Sequence, residues 1–428
     1  MTIAIFGVFF VALIIALPIG VAVCLASILP NLLDPSFTTD VQFVLRSMIS
    51  GIDSSSMLAI PLFMLSGDIM SKGGISKKLF NTFAAIVGKR TAGMPCAVVL
   101  TCLFFGAISG SGPATCAAVG AMSIPILTNL GYDKVFSGAL VATAAGLGVI
   151  IPPSIPYITV GLVTGVSVGA LFTAGIIPGI LIAVCLMVYC IIYCKRNGED
   201  KEKVAKNYES IMQHGFFYVL RDSFWALLTP VIILGGIYSG IVTPTEAACV
   251  SVFYALFVCL ILYRSMKLID IIGFLRGAVR TYAPLCILLA MARAFSKVLT
   301  VAKVPQSLGE FISTAFNQQW LFLLCVIVIL LLLGMVLDVG PANIILAPIL
   351  LPVAEAFGMN PVHFCIILVV CLSVGFVTPP FGMNLFVVAP MIDTPVMSVG
   401  KKAAPFILAF IVALLLIAYI PPLTLLLI

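Results

Sequence analysis

The sequence predicts an all-α, polytopic membrane protein built from two inverted repeats, with re-entrant hairpins and discontinuous helices among its membrane spans. The first observation behind this prediction is composition: 62% of the 428 residues are hydrophobic and 9% are charged, and the mean hydropathy is +1.26. A soluble protein of this size could not cover its surface with so few charges. The second observation is a set of glycine- and proline-rich breaks that recurs, in register, in both halves of the chain.

A glycine-rich break interrupts the apolar sequence at residues 104–115, Phe-Phe-Gly-Ala-Ile-Ser-Gly-Ser-Gly-Pro-Ala-Thr. Its three glycines and its proline cannot sustain a helix. Because hydrocarbon cannot satisfy the backbone groups that a broken helix frees, such a break is tolerated only where protein, water or a ligand covers it. The pattern therefore predicts a binding loop, with three hydroxyl side chains as candidate substrate ligands: Ser109, Ser111 and Thr115.

The same pattern returns 228 residues later, at 334–343, where Asn343 takes the place of Thr115. A Pro-Pro break follows each motif after about forty residues, at 150–154 and at 377–381. One Gly-Pro pair alone would favour a simple packing kink. Four interruptions in corresponding places of two halves are instead typical of a transporter binding site.

The first predicted repeat covers residues 1–194. Two apolar runs, 3–17 and 18–33, make either two short crossings or one long bent helix, and a third span runs from about 44 to 70. The remaining predicted elements are an amphipathic interfacial helix, a re-entrant hairpin, a broken span and a last span, at 72–90, 95–130, 134–168 and 171–194.

A hydrophilic connector, predicted to be cytoplasmic, occupies residues 195–223, and the second repeat covers 224–428. Thr243 and Glu246 predict a helix start with a capping box. The second repeat follows the order of the first, with spans at 224–241, 244–263 and 274–298, an amphipathic helix at 304–316, a hairpin at 320–357, a broken span at 361–392 and a last span at 404–427.

The distribution of charge predicts the orientation of the chain. Each half has an odd number of crossings if the hairpins count as none, so the two repeats must be inverted relative to each other. With the connector in the cytoplasm, both termini and the acidic loop at 31–40 lie outside, and most bases lie inside. The net charge of +6 therefore reflects membrane orientation, and no nucleic-acid partner is expected.

The breaks offer backbone carbonyls and hydroxyls, which suit a hard monovalent cation such as sodium. Helix amino ends that start after Pro113 and Pro341 direct positive dipoles inward and favour an anionic substrate. The candidate sodium ligands of a first cage are Gly106, Ser109, Gly148, Ile151 and Pro153, and those of a symmetry-related second cage are Gly334, Gly375, Thr378 and Phe381.

Asp338 is the one acid inside a break. A charge at the bilayer centre costs roughly 2.5 to 3.5 kcal/mol on insertion scales, so Asp338 is expected to line a wet cavity or to meet a partner. It either contacts substrate or an ion, or it caps its own hairpin. The other polar groups expected to face the same volume, as candidate substrate ligands, are Ser154, Asn343 and Asn384.

Taken together, these motifs resemble the large membrane subunit of TRAP transporters, of the DctM or SiaM type. The resemblance rests on the duplicated Gly-Pro-Ala hairpins, the Ile-Pro-Pro-Ser and Thr-Pro-Pro-Phe-Gly-Met-Asn breaks, and Thr-Pro-Thr-Glu-Ala-Ala. It implies a secondary transporter of the bacterial inner membrane with an ion-transporter-like fold, in which the hairpins move against a static scaffold as an elevator. Sodium would be the coupling ion, and no other cofactor is expected.

The resemblance also implies two protein partners besides the lipid bilayer. These are a small four-helix membrane subunit and a periplasmic binding protein that delivers an organic acid, such as sialic acid or a dicarboxylate. A stand-alone sodium-dicarboxylate or citrate carrier, which needs no binding protein, stays open as an alternative. An intramembrane enzyme is a remote alternative, because the sequence contains neither an HExxH motif nor an acid dyad at membrane depth.

Overall fold

The structure is a computed structural model that describes residues 2–15, 17–34, 37, 39–304, 307 and 318–428. All regular structure in these ranges is helical. Among the described helices, six are long and apolar enough to cross a membrane, or seven if one bent pair counts as a single span. The predicted all-α, polytopic class is therefore confirmed. The predicted amphipathic helix at 304–316 lies almost wholly outside the described residues.

The first half contains ten described α-helices, and short 3₁₀ turns at Ser55–Leu58 and Ala145–Val149. In chain order the helices are α1 (Thr2–Ile14), α2 (Ile19–Leu33), α3 (Val41–Ile52), α4 (Ala59–Lys72), α5 (Ile75–Val87), α6 (Gly93–Ser109), α7 (Gly112–Asn129), α8 (Lys134–Ala144), α9 (Ile155–Thr164) and α10 (Val168–Asn197).

The connector contains one short helix, α11 (Lys201–Ile211). The described helices of the second half are α12 (Phe216–Tyr238), α13 (Pro244–Leu256, continued by a π-helical turn over Phe257–Leu262), α14 (Asp270–Val301), α15 (Gln319–Gly334), α16 (Val339–Ala356), α17 (Pro361–Gly375), α18 (Met383–Met391), α19 (Val396–Tyr419) and α20 (Pro422–Leu425). The capping box that was predicted from Thr243 and Glu246 is present at the start of α13.

The helices of the two halves recur at a constant offset. The helices α7, α8, α9 and α10 begin 227 or 228 residues before α16, α17, α18 and α19. The tip between α6 and α7 thus corresponds to the tip between α15 and α16, and the break before α9 corresponds to the break before α18. The sequence repeat therefore has a counterpart in the order and length of the helices, while the inversion of the two halves stays a prediction.

The third span differs from its prediction. A single span from about 44 to 70 was expected, but the chain bends by 60° between α3 and the segment that contains α4. The residues at the bend are Asp53 and Ser54, followed by two more serines. Short polar side chains of this kind compete for backbone hydrogen bonds and disfavour a helix interior. The corresponding helix of the second half, α14, is continuous over 32 residues, with Pro284 inside it.

The two halves interlock at the centre of the molecule. The helix α9 of the first half packs against α16 of the second, and α18 of the second half packs against α7 and α8 of the first. Close backbone approaches hold each hairpin against the broken helix of its own half. A Cβ added at Gly106 would lie 2.6 Å from Gly148 Cα, and one added at Gly375 would overlap the carbonyl of Gly334. Both hairpin tips and both breaks therefore meet in one region.

The hydrophilic connector is largely helical. The predicted range 195–223 contains the end of α10, the whole of α11 and the first two turns of α12. The side chain of Asp200 accepts a hydrogen bond from the backbone N–H of Lys203 and caps α11. This backbone hydrogen bond is the main reason why the pKa of Asp200 lies below its ordinary value.

Candidate binding site between the hairpin tips

A cavity of about 460 Å³ lies where the two hairpin tips meet. The first tip contributes Ser111 and Pro113, and the second contributes Asp338 and Gly340. The far ends of both breaks and the middle of α4 and α14 complete the wall. A cavity of this size falls within the range of small-molecule sites, so it could enclose a small metabolite.

Asp338 is the single charged residue among the described residues that line this cavity, and none of them is basic. Its side chain is exposed to the cavity, and the residue stands at the N-cap of α16 with an extended backbone. The carboxylate lies near the backbone amides of Val339 and Gly340 but makes no capping hydrogen bond. Its position therefore favours contact with a ligand over a purely structural cap.

Four described helices begin at the cavity wall, so their amino ends lie at a cavity that no described base lines. These are α7, α9, α16 and α18, whose first residues line the cavity or directly adjoin lining residues. The amino end of a helix carries partial positive charge and free N–H groups. The cavity thus combines four positive dipole ends with one carboxylate.

The first predicted sodium cage contains a compact group of oxygens behind the first tip. The hydroxyl of Ser109 lies 2.8 Å from that of Thr115 and donates to the carbonyl of Ser111 at 3.3 Å. A Cβ added at Gly148 would lie 2.6 Å from the Thr115 hydroxyl and 2.8 Å from the Ser111 carbonyl. Ser109 and Thr115 are both buried. Three oxygens of the hairpin therefore gather at Gly148, which is a glycine because no side chain fits there.

The remaining predicted residues of the first break make the following contacts in the structure. The hydroxyl of Ser154 donates to the Val149 carbonyl and accepts from the backbone N–H of Tyr157, so it caps α9. The carbonyl oxygen of Pro153 lies close to the first tip. A Cβ added at Gly110 would be 2.9 Å from it. Ile151 packs against Gly179 of α10.

The residues of the second predicted cage make different contacts from those of the first. The backbones of Gly334 and Gly375 touch, and the hydroxyl of Thr378 donates to the Val374 carbonyl at 2.8 Å. The side chain of Phe381 is 61% exposed, which leaves only its backbone as a possible ligand. Asn343 is fully buried, and neither atom of its amide has a hydrogen-bond partner among the described residues.

Asn384 joins the second break to the first half. Its Nδ2 donates to the Ala142 carbonyl of α8 at 2.9 Å, its backbone carbonyl accepts from the thiol of Cys116, and its Oδ1 has no partner in the described part of the chain. Of the seven predicted substrate ligands, the structure places two at the cavity wall, Ser111 and Asp338. The other five, which do not line the cavity, are Ser109, Thr115, Ser154, Asn343 and Asn384.

Sequence reasoning missed the contribution of α4 and α14 to the cavity. Met64 of α4 and Thr281, Pro284 and Leu285 of α14 line it. A signal was present in the sequence, because Pro284 interrupts an apolar span at the position that corresponds to the polar bend after Asp53 in the first half. A proline within a membrane helix leaves a backbone carbonyl without its usual hydrogen bond, and neighbouring helices or water must satisfy it.

Comparison with known proteins identifies the family. The family described as "Tripartite ATP-independent periplasmic transporter, DctM component" matches residues 6–423. The chain belongs to this DctM family. The chain is 38% identical over 370 residues to the C4-dicarboxylate TRAP transporter large permease protein DctM of Pseudomonas aeruginosa, covering 86% of this chain and 85% of that protein. It is 34% identical over 390 residues to the sialic acid TRAP transporter large permease protein SiaM of Vibrio cholerae, covering 91% and 90%.

A further relative is longer than this chain. The isethionate TRAP transporter permease protein DctMQ of Oleidesulfovibrio alaskensis is 37% identical over 416 residues, which are 97% of this chain but 64% of that protein. Among solved structures, the Alcanivorax borkumensis YdaH transporter shares 13% identity with a TM-score of 0.63, covering 94% of this chain and 97% of that one. This likeness concerns the fold alone.

These findings establish the class of the DctM-family chain. It is a large permease subunit of a TRAP transporter and a multi-pass protein of the bacterial inner membrane. The relatives from Pseudomonas aeruginosa and Vibrio cholerae are named as transporter permeases and not as enzymes. The family name describes a tripartite system, in which large permeases work with a small subunit and a substrate-binding protein.

Proposed function

We propose that this DctM-family subunit is a sodium-coupled secondary transporter that imports a small organic acid by an elevator movement of its two hairpins. The substrate would belong to the sialic acid or dicarboxylate class, for which two relatives are named. A periplasmic binding protein would deliver it, and a small four-helix membrane subunit would complete the assembly, as the tripartite family description supports.

The observation that carries this proposal is the cavity between the hairpin tips, with an oxygen cluster and a buried, unpartnered amide in the hairpins behind it. The four helix amino ends at the cavity favour the carboxylate of an organic acid. Asp338 does not contradict an anionic substrate, because hydroxyl groups of a sugar acid or hydroxy acid can donate to its carboxylate. A sodium ion nearby would offset part of its charge.

Two features support sodium as the coupling ion. Sodium is a hard cation that prefers oxygen ligands, and the Ser109 hydroxyl, the Thr115 hydroxyl and the Ser111 carbonyl form such a set in the first hairpin. In the second hairpin, Asn343 occupies the position of Thr115, and its buried amide oxygen is without a partner among the described residues. A buried polar group without a partner costs about 1 to 3 kcal/mol, so a ligand for it would stabilise the protein.

The decisive experiment is uptake into proteoliposomes that contain this subunit with its two partner proteins. A panel of sugar acids, hydroxy acids and dicarboxylates identifies the substrate. Initial rates plotted against external sodium should be sigmoidal, because two cages must fill before transport. A hyperbolic sodium dependence would contradict the two-cage proposal, and full activity on a proton gradient alone would refute sodium coupling.

A further inference from the structure

A second cleft lies away from the transport cavity, between the end of α5, the start of α6 and the connector helix α11. Its volume is about 680 Å³, larger than that of the cavity between the hairpin tips. Its lining includes three bases, Lys89, Arg90 and Lys201, and Thr91. Three apolar residues also line it: Val204 and Ala205 of α11, and Met212, which directly follows that helix.

The three bases are available to a ligand. Lys89, Arg90 and Lys201 are exposed, and none forms an ion pair with a described residue. The ammonium of Lys89 is held 5.0 Å from the ring centre of Tyr208, a contact that positions the charge without neutralising it. Arginine presents several N–H donors in a planar fork that matches the oxygens of a phosphate group.

Two acids also line the cleft, and the carboxylate of one of them already accepts hydrogen bonds from the protein. Glu199 accepts the backbone N–H of Ala92 at 3.0 and 3.1 Å and the phenol O–H of Tyr132. Burial, followed by the neighbouring Glu199, raises the pKa of Tyr132, so the phenol remains a proton donor to this carboxylate. Glu209 is the other acid, and the balance of three bases against two acids leaves the cleft with a net positive charge.

The cleft borders the bilayer. Met212 lies four residues before the start of α12, which is long and apolar enough to span the membrane, and Phe217 near that start is 84% exposed. The connector side is the predicted cytoplasmic side, where basic clusters next to membrane spans attract anionic lipid headgroups. A lining that holds both basic and apolar residues suits an amphiphile better than a free inorganic anion.

We propose that this cleft, lined by Lys89, Arg90 and Lys201, binds the phosphodiester headgroup of an anionic phospholipid. The lipid phosphate would lie between the bases of the α5–α6 loop and Lys201 of α11. Its glycerol would contact the apolar residues Val204, Ala205 and Met212. The lipid would thereby connect α11 to the start of the first hairpin, next to the hydrogen bonds that Glu199 accepts from Ala92 and Tyr132.

The test measures equilibrium binding of short-chain phosphatidylglycerol to the detergent-solubilised protein by calorimetry. The double variant Arg90→Gln with Lys201→Gln should bind roughly thirtyfold more weakly, as expected for the loss of two bases near a lipid headgroup. The matched control is Lys203→Gln with Lys206→Gln, which removes the same charge, from α11 alone. Those two lysines pair with Asp200 and Glu202 at 3.1 and 2.7 Å and do not line the cleft.

Near-wild-type binding by the control, together with preference for phosphatidylglycerol over short-chain phosphatidylcholine, would support the proposal. Equal weakening in both double variants would overturn it, since overall charge would then explain the binding. Absence of measurable binding to the wild-type protein would overturn it as well. If inorganic phosphate binds as tightly and with the same dependence on Arg90 and Lys201, the phosphate site stands but its assignment to a lipid is wrong.

Discussion

Asp338 is an asymmetric addition to a symmetric site. The corresponding position in the first half is Gly110, so the geometry of a hairpin tip does not require an acid there. Its carboxylate is exposed to the cavity and is the one charge among the described residues of the wall. Placing a charge at this depth is costly, which indicates a role for it in ligand contact.

We expect Asp338→Asn to retain the fold and to lose most uptake, and Asp338→Ala to lose nearly all uptake. Asparagine caps a helix as well as aspartate does, whereas alanine does not, so the pair separates charge from capping. Uptake and thermal stability are measured for both variants. Near-normal uptake by Asp338→Ala would remove this residue from the site. A loss of stability that parallels the loss of uptake would restore the capping interpretation.

Asn343 permits a test of the second sodium site that does not depend on transport. Sodium should raise the melting temperature of the wild-type protein above its value in choline chloride, because a ligand that binds the folded state stabilises it. Asn343→Leu has similar volume and removes the buried amide, so its sodium-dependent shift should be smaller. Ser251→Ala, at a buried hydroxyl of α13, serves as the control. An unchanged sodium shift in Asn343→Leu would exclude this amide as a ligand.

At the scale of helices, contact between backbones decides how each hairpin sits against its broken helix. Gly375→Ala should lower the melting temperature, because the added Cβ would overlap the carbonyl of Gly334 and overpacking of this kind costs about 1–3 kcal/mol. Gly235→Ala is the matched control, since no atom of the described residues lies within 4 Å of a Cβ at that position in α12. The control should be neutral or stabilising. Equal stability of both variants would show that α15 and α17 can separate without cost.

The elevator proposal concerns the movement of hairpins against α4 and α14. A Cβ at Gly340 of the second hairpin would lie 3.9 Å from Leu285 Cδ1 of α14. Cysteines introduced at these two positions, in a background without the native cysteines, should react with a short bifunctional thiol reagent that contains a disulfide, and this cross-link should abolish uptake. Reduction in the same sample should restore it. Transport at the normal rate by the cross-linked, folded protein would refute the elevator movement.

The control for this cross-link joins two helices of the predicted scaffold. A Cβ at Gly20 of α2 would lie 2.9 Å from the sulfur of Met291 in α14. The same reagent, joining cysteines at these positions, should leave uptake intact, because neither helix belongs to a hairpin. Inhibition by the control cross-link to the same degree would show that uptake is lost through general rigidity.

At the scale of the whole molecule, the question is whether this subunit transports alone. The family describes a tripartite system, so we expect no substrate uptake unless the small subunit and the binding protein are both present. Proteoliposomes that lack one component at a time, with sodium held constant, measure this dependence. Uptake at the full rate without the binding protein would identify a stand-alone carrier, the alternative that the sequence leaves open.

The sequence alone determined the class, the duplication and the location of the breaks. Composition excludes a soluble fold because so few charges cannot cover a protein surface. Glycine and proline at corresponding positions of two halves end helices locally, so both hairpin tips and both Pro-Pro breaks could be placed before any contact was known. Thr243 and Glu246 likewise predicted a capping box, because capping depends on residues three apart in the chain.

Only the tertiary structure decided which polar groups share a volume. Thr115 and Ser111 are four residues apart, yet Thr115 turns to Ser109 behind the tip while Ser111 lines the cavity. The wall formed by α14, and the bend between α3 and α4, also depend on packing between distant segments. Sequence spacing fixes where a helix ends, but the neighbours of a side chain depend on how helices from both halves pack, and no local pattern encodes that arrangement.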